Sequence, residues 1–171
     1  MRHFLTLFFL IVSISISFSQ NTSLSEVNSK EITQKIWVDS IYNQFSFEEK
    51  VGQLFMIAAY SNKNEAHAQD LDKLITKYKV GGLIFFQGGP NRQAKLTNRF
   101  QEKSKIPMLI GIDAEWGLSM RIDSTHTYPW NMTLGAIKDN SLLERMGMQM
   151  ADQSKRLGIH FTFGPVVDIN T

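Results

Sequence analysis

Four short apolar runs constrain this chain more than anything else in it. They are "LFMIA" (54–58), "VGGLIFF" (80–86), "MLIGI" (108–112) and "IHFTFGPVVDI" (159–169). The first three do not alternate apolar with polar residues. A strand with one face in water alternates; a strand covered on both faces does not. Between the runs lie stretches with helical spacing. Leu71, Leu74, Ile75 and Tyr78 fall at i, i+3, i+4 and i+7. Pro90 suits the first position of a helix reaching Ser104, with Leu96 and Phe100 on one face. Ser141 and Glu144 read as a capping box for a helix carrying Leu143, Met146, Met150 and Leu157, ended by Gly158. Buried strands alternating with amphipathic helices give an α/β fold with a parallel sheet.

Two architectures accept that order, an open doubly wound sheet and a (β/α)8 barrel. Both meet their ligands at the carboxyl ends of the strands. A barrel needs eight strands and this sequence supplies four, so the barrel reading makes the chain the first half of one. Ahead of the repeat, "SFEE" (46–49) is a second capping box, Ser46 with Glu49. A helix is expected from about Glu31 to Asn43.

The first nineteen residues are of another kind. Arg2, an apolar run from Phe4 to about Ile16 and then Ser17-Phe18-Ser19 make a signal peptide, with cleavage between Ser19 and Gln20. The run is shorter than the roughly 20 residues a bilayer crossing needs. An exported protein, periplasmic or extracellular, with no stable membrane anchor after cleavage is expected. The domain reading is a signal peptide at 1–19, a leader and N-terminal helix at 20–45, and the half barrel at 46–171.

Composition narrows the chemistry. With no Cys, thiol catalysis, disulfides and zinc–thiolate sites are out. A formal charge of +2 and no basic patch with interleaved aromatics argue against a nucleic-acid partner. His67, His126 and His160 lack metal-ligand spacing, so no metal is expected. His67 reads as part of an exposed helix face and His160 as a strand start. The glycines at 81, 82, 88 and 89 fit tight turns, since no phosphate-loop pattern surrounds them. No cofactor is expected.

"PMLIGIDAEWGLSMRI" (107–122) holds the candidate site. Asp113 follows the third apolar run directly, and Arg121 comes eight residues later. Together they can grip vicinal hydroxyls of a sugar, the carboxylate accepting and the planar guanidinium donating. A structural ion pair that pins the loop is the other reading. Trp116 can stack on a pyranose or anchor the loop by packing. Glu115 resembles a general acid, but a glycosidase sets its two carboxyls about 5–9 Å apart across the bond. A continued strand would send Asp113 and Glu115 the same way, which favours a structural Glu115. Asp168, ending the fourth run, can face the same site or bind loop amides.

Six segments in order carry a resemblance: "EEKVGQLFMI", "VGGLIFF", "LTNRFQ", "PMLIGIDAEWGLSMRI", "YPWNMTLGA" and "RLGIHFTFGPVVDINT". Over residues 46–171 they are similar to the N-terminal barrel of glycoside hydrolase family three, most closely its β-N-acetylhexosaminidase branch. The resemblance implies a retaining exo-glycosidase acting on terminal β-linked N-acetylglucosamine, with Asp113 and Arg121 holding hydroxyls of that sugar. Where the family more often has Gln-Glu-Gly-Gly, this chain has Ala114-Glu115-Trp116-Gly117. That departure bears on the loop's shape and on preference beyond the terminal sugar. The family's nucleophile and acid/base come later in the barrel, so no catalytic residue is assigned here. The missing C-terminal half of the barrel is the partner this reading requires, and the chain alone is expected to be inactive. A β-glucosidase of the same family and a non-catalytic carbohydrate-binding protein are the alternatives.

Overall fold

A computed structural model describes residues 30–166. The signal-peptide reading, the leader up to residue 29 and Asp168 therefore lie outside the described residues. The chain divides into two units, 1–45 and 46–171. In the first, residues 30–44 form a helix, α1, with Ile32, Ile36 and Trp37 exposed and an exposed Lys35–Asp39 pair at 2.6 Å. Among the described residues no helix is long and apolar enough to cross a membrane.

The second unit runs α2 (Phe47–Gly52), β1 (Met56–Ala59), α3 (Glu65–Tyr78), β2 (Gly82–Phe85), α4 (Pro90–Lys103) and β3 (Leu109–Ile112). A 3-10 turn (Leu118–Met120), α5 (Asn131–Leu134), α6 (Asn140–Arg156) and β4 (Phe161–Thr162) follow. All four strands are parallel and adjacent in chain order, β1-β2-β3-β4. A doubly wound sheet reverses its strand order at a switch point. This sheet does not reverse. Its winding is that of the first strands of a (β/α)8 barrel.

The register explains the core. Ala59, Phe85 and Ile112 are mutual partners, as are Ile57, Leu83 and Ile110. These rows face α3 and α4, and Ala68, Leu71, Ile75 and Phe100 close over them. The intervening rows face the other way. Leu109 there is 55% exposed, and Ala58, on β1 in the next row of that face, is exposed as well. One sheet face is therefore sealed by helices, and the opposite face, a barrel's interior face, is open among the described residues.

Local expectations meet several corrections. The Ser46–Glu49 capping box is present in both directions, at 3.2 and 3.0 Å. The Ser141–Glu144 box is not: Asp139 caps α6, its Oδ1 accepting from the Ser141 amide at 3.0 Å. A carboxylate two residues earlier takes the orphan amide first. On α3 the buried face is Ala68, Leu71 and Ile75, while Leu74 and Tyr78 are half exposed, because the helix is rotated toward the sheet. β1 starts at Met56, since Leu54 and Phe55 are held in the turn that ends α2. No residue of α6 is fully buried. Gly158 ends α6 as expected, at φ +67°.

Candidate functional site

The strand ladder continues one step past the assigned ends. The Phe86 amide donates to Ala59 at 3.0 Å, and the Phe163 amide to Ile112 at 2.9 Å. Following the register, Tyr60, Phe86, Asp113 and Phe163 form the next row. Side chains alternate, so this row belongs to the face not covered by helices, at the carboxyl rim. Two of its rings stack: Tyr60 and Phe86 lie 5.6 Å apart at 22°.

Asp113 and Arg121 are brought together. An Arg121 terminal nitrogen donates to Asp113 Oδ2, and the Arg121 and Asp113 side chains are 22% and 24% exposed respectively. The intervening loop is built to do this. Gly117 takes φ +96°, and the 3-10 turn then brings Leu118 and Ile122 into the core at 1% and 3% exposure. The loop is also tied to the end of β2: Ile122 bridges Gly88, and the Asp123 amide donates to the Gly88 carbonyl at 2.7 Å. Gly88 itself has φ +139°, and a Cβ there would sit 1.8 Å from Ser61 Oγ. Arg121, between two buried anchors, is thus fixed at the rim, its Cζ 5.1 Å from the Phe86 ring centroid.

Glu115 does not follow Asp113. The strand stops at Ile112 and a turn begins at Glu115, so alternation no longer applies. Glu115 instead borders a cavity of about 420 Å³ between α6 and the ends of β3 and β4, lined also by Met150, Lys155 and His160. The Asp113–Arg121 pair is not part of that lining. Trp116 is half buried, with its ring 6.0 Å from that of Trp130, which is 69% exposed.

The histidines are engaged structurally. His160 Nδ1 accepts from the Ile110 amide at 2.9 Å, filling a ladder position beside β3. His67 is half buried rather than exposed, its Nε2 accepting from the Tyr60 amide at 3.3 Å. Burial first, and Lys63 second, hold its pKa below the ordinary value. Among the described residues no group of acidic and histidine side chains could hold a metal ion.

Tyr60, Phe86 and Phe163 did not emerge from the sequence as site residues. The signal was there in the parity: each stands one place beyond a strand end, as Asp113 does, but the exact strand ends come only from the hydrogen-bond register.

Comparisons with known proteins follow this geometry. Residues 46–171 match the model described as glycosyl hydrolase family 3 N terminal domain. A β-N-acetylglucosaminidase/β-glucosidase of Cellulomonas fimi is 28% identical over 134 residues, 78% of this chain and 23% of that protein. A β-hexosaminidase A of Pseudoalteromonas piscicida is 30% identical over 115 residues, 60% of this chain and 19% of that protein. Among solved structures, the β-glucoside phosphorylase BglX bound to 2FGlc aligns with TM-score 0.66 at 26% identity, over 80% of this chain and 24% of that one. A fungal multi-domain GH3 β-N-acetylglucosaminidase aligns with TM-score 0.60 at 26% identity, over 73% of this chain and 16% of that one. The chain spans a quarter or less of each of these relatives.

Proposed function

The chain belongs to glycosyl hydrolase family 3, whose N-terminal domain it carries, and on that premise we propose that it contributes the sugar-holding half of a retaining β-N-acetylhexosaminidase. The observation that carries this reading is the Asp113–Arg121 pair at the end of β3, on the sheet face left open by the helices. Asp113 accepts from two hydroxyls of a terminal sugar, Arg121 donates to a neighbouring oxygen, and the Tyr60–Phe86 rings offer a flat apolar wall. The complete enzyme works by double displacement, through a glycosyl-enzyme intermediate that water then cleaves. Binding at hydroxyls remote from the scissile bond serves to orient it. The nucleophile and acid/base belong to the barrel's second half, and the signal-like first nineteen residues direct the product out of the cytoplasm.

A second reading, β-glucosidase, draws on the dual name of the Cellulomonas fimi relative and on the glucoside-directed BglX. One experiment addresses both. The full-length gene product, assayed with an aryl N-acetyl-β-glucosaminide and an aryl β-glucoside, turns over the former faster. Asp113→Asn and Arg121→Met each lower kcat/KM by about 10- to 100-fold, the value of a hydrogen bond to a charged group. Wild-type kcat/KM in both variants would show that the pair is only a loop pin. Purified residues 20–171 turn over neither substrate, and measurable turnover there would place the nucleophile within this chain.

A further inference from the structure

We infer that Phe86 is a positioning residue: its ring sets the plane of the Arg121 guanidinium against which the sugar is held, an inference that rests on the function proposed above. Five groups at the carboxyl ends of three adjacent strands make a continuous chain of four contacts. Lys63 Nζ lies 3.9 Å from the Tyr60 ring centroid. Tyr60 stacks on Phe86, and Arg121 lies over Phe86. Asp113 then takes the Arg121 terminal nitrogen.

Each contact limits a freedom that Arg121 would otherwise have. The Asp113 bond fixes one corner of the guanidinium but leaves rotation about that contact. Arg121 Nε is buried and has no hydrogen-bond partner among the described residues. The π face of Phe86, within the roughly 6 Å over which a cation is attracted to a ring, therefore supplies the second constraint. Phe86 is in turn fixed from both sides. Its backbone is bonded to Ala59, and its ring rests on Tyr60, whose edge meets His67 at 5.7 Å. With its plane set, the fork presents its remaining N–H groups in one direction, so less conformational freedom is lost when a hydroxyl is bound.

Such a role predicts a particular kinetic pattern. Remote hydroxyls are held in ground state and transition state alike, so loosening Arg121 raises KM more than it lowers kcat. In the full-length gene product, Phe86→Leu, which keeps apolar volume and removes the π face, raises KM by about three- to tenfold. Phe86→Tyr, which keeps the face, leaves KM within about twofold of wild type. In an Arg121→Met background, Phe86→Leu adds less than about twofold, because residues acting through one another are not additive. Thermal unfolding is measured alongside, and Phe86→Met replaces Phe86→Leu if the latter does not fold.

An unchanged KM in Phe86→Leu, with or without a lower Tm, makes Phe86 a packing residue and overturns the inference alone. The same KM rise in the presence and absence of Arg121 also overturns it, since Phe86 would then act directly. Wild-type kinetics in Arg121→Met overturn both this inference and the sugar-holding role of the pair.

Discussion

Gly117 sits at φ +96°, and a Cβ there would lie 2.6 Å from the Tyr128 ring. Tyr128 has no room to retreat, being 7% exposed with its hydroxyl donating to Gln149 at 3.0 Å. Gly117→Ala therefore costs about 1–3 kcal/mol of backbone strain with overpacking added, and shifts the loop that carries Arg121. A lower Tm together with a raised KM in the full-length product is the expected pair of results; Tm loss alone would uncouple loop and site. His67 gives a pH signature. Its folded pKa is below the ordinary 6.5, so the neutral form is the one folding favours. That stability is fully present above about pH 6.5 and is lost as pH falls through the lower folded pKa. His67→Gln should flatten the fall in Tm between neutral and mildly acidic pH. An unaltered pH profile would rule out His67 as the source of that fall; Glu65, which Arg99 holds ionised to lower pH than usual, gives up its contribution only below the ordinary carboxylate value of 4.5.

At the scale of elements, α6 is the helix whose start the sequence placed by the wrong residue. Both Asp139 and Ser141 are good caps, and propensity alone does not separate them. What decides is backbone geometry: Asp139 is the extended residue before the first helical turn, and its carboxylate also favours the positive end of the helix dipole. Asp139→Ala should cost about 1 kcal/mol and Ser141→Ala less than about 0.5 kcal/mol, read from urea unfolding. Equal losses would restore the Ser141–Glu144 box. The α3 and α4 pairing was equally indistinct in one dimension. Arg99 reaches Asp72 at 2.6 Å and Glu65 at 2.7 Å, joining helices whose charges are far apart in sequence.

Across the second unit, the sealed and open sheet faces differ in kind. The open face and its borders expose Leu109 (55%), Phe163 (49%) and, near β1, Phe55 (58%). Apolar surface of this sort is seldom left in water by a soluble protein. The 171-residue chain by itself should therefore bind a hydrophobic dye and self-associate in sedimentation velocity. Leu109→Lys should reduce both while changing Tm little, because Leu109 lies outside the core. A monomeric chain that excludes dye would mean the face is covered in solution.

The sequence by itself determined the alternation of buried strand and helix, the Ser46–Glu49 capping box and the residues Asp113 and Arg121, because period and local hydrogen bonding act over a few neighbours. It left open whether the sheet winds as a barrel or reverses, since both arrangements bury the same apolar runs. Strand order decided that. Tertiary structure alone also decided which residues share the rim with Asp113: Tyr60, Phe86 and Phe163 are 53, 27 and 50 positions away and meet it only through register. Glu115 parts from Asp113 for the same physical reason, because side-chain alternation ends where the ladder does.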